Sequence, residues 1–167
     1  LIYINKIMPT YTLMTIFRIG DDQFEVDIFW YGVPDADVKV RFEEYVRESV
    51  QSSNHFLGYT DYSVRHNVSD YNCCITARDY GNFAYRTKSL FLDTPKIGGI
   101  VGLSVQSEMA TDPIKHIVID SILTTMANLV GSVKAINKYT NDLEYYAAHD
   151  PLTGLFNQRV FVDFLEY

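Results

Sequence analysis

The spacing of apolar residues changes period several times along the chain, and each change marks an element. In "LIYINKIM", Leu1, Ile4, Ile7 and Met8 follow helical spacing, and Pro9 ends the run. "TYTLMTIFRI" and "QFEVDIFWY" are rich in β-branched and aromatic residues and flank "GDD". That pattern predicts a hairpin with strands over about 10–20 and 23–32. Val38, Phe42, Tyr45, Val46, Ser49 and Val50 then return to helical spacing, with Asp35 or Asp37 placed to cap the first turn. "HFLGYTDYSV" reads as a strand, "RHNVSDYN" as a polar loop and "CCITARDY" as another strand. "FAYRTKSLFLDT" and "IGGIVGLSVQS" read as the last two strands, joined by "PK". Gly98, Gly99 and Gly102 lie inside the second of these. They point to a bulge or a closely packed helix rather than a phosphate loop.

From Asp112 the helical period holds to about Ala148, with Asp112 as cap and Pro113 as first helical residue. One seam runs through Ile119, Ile122, Met126, Leu129, Val133, Ile136, Thr140, Leu143 and Ala147, in alternating steps of three and four. Ile117, Val118, Leu123 and Val130 widen the apolar face early, so the first half is expected to pack on its own sheet. Beyond Ile136 the stripe narrows between Asn137, Lys138, Asn141, Asp142 and Glu144. A narrow stripe of this kind predicts a second helix against it, in a parallel homodimeric coiled coil.

Composition is that of a globular domain, with 47% hydrophobic and 21% charged residues. A net charge of −7 argues against nucleic-acid binding, which needs clustered Lys and Arg. No segment reads as membrane-spanning: Asn5, Lys6 and Pro9 break the first apolar run, and Lys115, Asp120, Asn128 and Lys134 interrupt the late one. A cytoplasmic location is expected. The chain starts without Met and reads as a piece of a longer protein, which could carry targeting or membrane segments upstream. Cys73 and Cys74 are the only cysteines, and they lack the spacing of a metal or redox motif. They are expected to be reduced thiols in a strand.

The end of the chain, "LEYYAAHDPLTGLFNQRVF", resembles the entry to GGDEF domains, the catalytic domains of diguanylate cyclases. The match covers Leu143, Ala147, His149, Asp150, Leu152, Thr153, Gly154, Leu155, Asn157, Arg159 and Phe161, and departs at Gln158, where Arg is usual. Pro151 and Gly154 break the helical pattern, which resumes through Val160, Phe161, Phe164 and Leu165. Asp150, Thr153, Gly154, Asn157 and Arg159 are therefore read as hinge residues. The GG[DE]EF signature and its metal-holding carboxylates do not occur in these residues, so no catalytic residue and no cofactor is expected here. For the intact protein the resemblance implies cyclic di-GMP synthesis from two GTP with Mg²⁺, on two catalytic domains held face to face. A minority of such domains are inactive receptors.

"SLFLDTPKIGGIVGLSVQSE" with the helix after it is similar to the close of GAF sensor domains; PAS is the rival. The expected fold is α+β: a GAF-like antiparallel sheet flanked by helices, then a long signalling helix. Residues 1–112 would form the sensor, 113–148 the closing helix and linker, and 149–167 the start of the GGDEF domain. A pocket between sheet and loops would draw on Trp30, His55, Tyr59, Tyr62, Arg65, His66, Cys73, Cys74, Arg78 and Tyr80. His66 beside Arg65 could meet an anion or haem, although a surface histidine is the simpler reading. The sensor ligand is left open, and so is a purely structural dimerisation role.

Overall fold

A computed structural model describes residues 1–19, 24–53, 56, 62–91 and 97–165. They form two compact units, Leu1–Gly131 and Ser132–Tyr167. The first contains α1 (Ile2–Ile7), β1 (Thr10–Ile19), β2 (Phe24–Pro34), α2 (Ala36–Gln51), β3 (Tyr62–Ile75), α3 (Ala77–Tyr80), β4 (Phe83–Phe91), β5 (Ile97–Gln106), α4 (Ser107–Thr111) and the first part of α5 (Pro113–Ala148). The architecture is α+β, with one five-stranded sheet of order β3-β2-β1-β5-β4.

β1 pairs antiparallel with β2 and β5, and β4 antiparallel with β5. β2 and β3 run parallel, with Asp27 opposite Arg65 and Ile28 opposite His66. The sheet is thus mixed rather than antiparallel as the sequence suggested. The helix α2 lies in the connection between β2 and β3, and such a crossover lets the chain enter its neighbour in the same direction.

One face of the sheet is covered by α2. Asp35 caps this helix, its Oδ1 accepting the Val38 N–H at 2.8 Å. Val38, Phe42, Val46 and Val50 share one buried stripe and join Phe24, Val26, Ile28 and Trp30 in a common core. Each such burial contributes about 1.5–3 kcal/mol. The opposite core joins Leu13, Phe17, Val101, Leu103 and Val105 of the sheet to Ile4 and Met8 near α1 and to Ile119, Leu123 and Ala127 of α5. Asp112 caps α5 as expected, its Oδ1 accepting the Ile114 N–H at 2.9 Å. By length and composition alone α5 could cross a membrane. Its Ile119, Leu123, Ala127 and Gly131 are buried in this unit.

Three local expectations need correction. "RHNVSDYN" is the middle of β3 rather than a loop. Its Val64, His66 and Val68 turn inward while Ser63, Arg65 and Asn67 are exposed, as on a strand at the sheet edge. The ladder jumps from Gly32–Asp70 to Val33–Cys74, and a Cβ on Gly32 would meet the Cys73 carbonyl at 2.5 Å. "CCITARDY" is a strand only to Ile75: Asp79 reaches back to the Thr76 N–H at 2.9 Å and starts α3. Finally, Gly99 makes room for a cross-strand ring, since a Cβ there would lie 2.5 Å from Phe17. The irregularity in the β1–β5 ladder is at Thr10/Thr12, away from the glycines.

The second unit holds the rest of α5, the turn that follows it, and α6 (Gln158–Leu165).

Candidate functional site

Of the expected pocket residues, the structure brings Trp30 and His66 together. The indole of Trp30 is fully buried on β2, and its Nε1–H donates to His66 Nδ1 at 3.0 Å. The other imidazole nitrogen, Nε2, lies 3.0 Å from Glu43 Oε1 on α2. Accepting at Nδ1 and donating at Nε2 requires the neutral ring with its proton on Nε2. Burial pushes His66 below the ordinary histidine value and Lys39 adds to this, while Glu43 pulls the other way. Both ring nitrogens are engaged, so His66 offers no free lone pair to haem.

Arg65 does not share that site. Adjacent strand residues face opposite sides. Its Nε donates to Asp27 Oδ1 at 2.7 Å and its guanidinium reaches Glu25 at 2.9 Å. The hydrogen bond and the charge of Asp27 raise the Arg65 pKa, so the cation is held charged. Tyr62 stacks on Phe24 at 5.0 Å within the core. Cys73 is half-buried and Cys74 exposed, both as free thiols near the end of β3, with exposed Arg78 in α3. His55 and Tyr59 lie outside the described residues, and of Tyr80 only the backbone in α3 is described.

Two features of the first unit were missed in the sequence. Glu43 carries no signal beyond a polar position on α2. An open groove of about 250 Å³ lies between β4 and α5, lined by Tyr85, Arg86, Thr87, His116, Ile119, Asp120 and Leu123. Arg86 there donates to the Ala110 carbonyl at 3.0 Å. Lys88 bonds Asp120 at 2.9 Å. Among the described residues no group of three His, Cys, Asp or Glu could hold a metal ion.

The expected seam divides in two. Ile119 is buried in the core of its own unit, and Ile122 and Met126 pack against that core. These three positions serve the fold, because the start of α5 needs them to close over the sheet. From Leu129 onward Val133, Ile136, Thr140, Leu143 and Ala147 are exposed.

The expected hinge is a tightly bonded turn within the second unit. Asp150 Oδ1 accepts from the Thr153 N–H at 2.8 Å, the Thr153 hydroxyl at 2.9 Å and the Leu152 N–H at 3.1 Å. The Thr153 N–H, with that hydroxyl, holds the Asp150 carboxyl below the usual aspartate value. Gly154 has φ of 68°, a left-handed conformation that favours glycine. Its N–H closes the turn on the Asp150 carbonyl at 2.9 Å. Asn157 donates its side-chain amide to the Ala147 carbonyl at 2.7 Å and accepts the Val160 N–H at 3.1 Å. Arg159 is exposed on α6. Nothing in the local pattern signals the ring stack in which His149 lies 4.1 Å from Tyr145 and 4.7 Å from Phe156.

Comparison of the chain with family models, with curated proteins and with solved structures gives no match in any of the three.

Proposed function

We propose that this chain is the sensory and dimerisation module of a bacterial diguanylate cyclase, with α5 as the linker that passes the signal. The observation that carries this reading is the turn after α5. Asp150, Thr153, Gly154 and Asn157 belong to the GGDEF-entry pattern, and each holds a specific backbone group of the turn. The sheet with helices on both faces, ending in a strand and a long helix, supports a GAF-like sensor; a PAS-like one is the alternative. The exposed stripe Leu129, Val133, Ile136 and Leu143 supports a parallel homodimer. On this reading the protein is cytoplasmic, GTP and Mg²⁺ belong to the catalytic domain, and the sensor takes a small molecule.

A second reading, a purely structural dimerisation module, is favoured by the way Trp30, His66 and Glu43 satisfy one another. The test begins with the coding sequence beyond Tyr167, followed by assay of the intact protein for cyclic di-GMP from GTP and Mg²⁺. Product formation is expected, and light scattering of the intact protein should report a dimer. Absence of a GGDEF domain downstream would overturn the reading. A degenerate signature without turnover would point to a receptor. A thermal-shift screen with nucleotides, haem and small metabolites separates a ligand-gated module from a scaffold.

A further inference from the structure

We propose that Trp30, His66 and Glu43 form a proton-operated latch, in which protonation of His66 loosens α2 from the sheet. The geometry makes the latch specific to one charge state. Neutral His66 accepts from the buried indole N–H at Nδ1 and donates to Glu43 from Nε2. A proton added at Nδ1 would set N–H against N–H across 3.0 Å. The indole donor would then be left buried without an acceptor, which is unfavourable. The disturbance falls on the packing of α2. Trp30 meets Phe42 edge-on at 5.1 Å, and Phe42 in turn contacts Tyr45 and Tyr85.

The charges around His66 set the direction. From α2 come Lys39, which opposes protonation, and Glu43, which favours it. The same face of β3 offers Val64 and Val68, and β2 offers Ile28 and Trp30, none of them charged at these pH values. Arg65 is on the other face, bound to Asp27 and Glu25. Among the described residues β3 is at the sheet edge, with no further strand beside it. Burial and Lys39 outweigh Glu43, and His66 sits below the ordinary histidine value. The unfolded chain therefore takes up the proton first as pH falls. The latch contributes fully above about pH 6.5 and is lost progressively below it, down to the folded value.

Trp30 is the sole tryptophan, so its fluorescence reads the latch directly. Between about pH 7.5 and pH 4.5 the emission of the chain should change in a single step with its midpoint below that of free histidine. The variant His66→Gln can accept from the indole and donate to Glu43 but cannot titrate, and it should remove the step. Persistence of the step in a folded His66→Gln protein would overturn the proposal, as would a flat wild-type profile. If His66→Gln does not fold, Lys39→Met should raise the midpoint and Glu43→Gln lower it. Unchanged midpoints in both would be equally fatal. The measurement uses the chain alone, so it does not depend on the reading of the intact protein as a cyclase.

Discussion

The side chain of Asn157 donates to the carbonyl of Ala147 at 2.7 Å, tying the start of α6 to the end of α5. Its Oδ1 meanwhile accepts the Val160 N–H. One amide therefore serves an orphan carbonyl of one helix and an orphan donor of the next.

Replacing Asn157 by Ala should remove both bonds. Loss of a helix N-cap alone costs about 1 kcal/mol. Hydrogen exchange at the Val160 amide should accelerate roughly 5-fold or more. Asn157→Asp keeps the acceptor and should protect Val160 better than Ala does. Equal protection in all three proteins would show that the turn does not depend on this side chain.

Asp150 gives the same turn a dependence on pH. Its carboxyl is held below the usual aspartate value by the Thr153 N–H, so the folded pKa lies under the unfolded one. Its contribution is present above the unfolded value and is lost as pH falls through the folded one. The Thr153 amide resonance should titrate with a midpoint below that of free aspartate. Asp150→Asn should flatten that curve, and a midpoint at or above the free value would contradict the assignment.

Gly131 sets two effects against each other. A Cβ there would lie 2.7 Å from Leu90 Cδ2, the flexible end of a side chain. Ala gains up to about 1 kcal/mol of helix propensity over Gly, which offsets a small shift of Leu90. Val adds bulk that Leu90 cannot clear and should cost about 1–3 kcal/mol. Thermal unfolding should place Ala near wild type and Val well below it. Indistinguishable melting of all three would mean that α5 is not closely packed at this point.

Elements with a sustained period were legible: the antiparallel pair β1 and β2, α2, β4, β5 and α5. β3 was not, because an edge strand places Ser63, Arg65 and Asn67 outward and so looks like a polar loop. Its parallel pairing with β2 was also hidden, since alternation fixes faces and carries no strand direction. The five-residue α4 is too short to show a period. The turn at Asp150–Asn157 could be read because its partners are close in sequence. The Trp30–His66 bond joins residues 36 positions apart, whereas adjacency in the sequence pairs His66 with Arg65. Pairing across strands, which depends on register, decided between them.

The residues that bury α5 and those of its exposed stripe follow different pitches. Ile119, Leu123, Ala127 and Gly131 advance by four, so at ~100° per residue each step turns the buried line ~40° onward. The heptad stripe drifts ~20° the other way every seven residues. The two lines meet at Ile119 and diverge along the helix from there. The helix thus has two surfaces that can vary separately. If the proposed homodimer forms, polar replacements at Val133, Ile136 or Leu143 should weaken it in light scattering while leaving the fold of the first unit intact. Replacements at Leu123 or Ala127 should do the reverse.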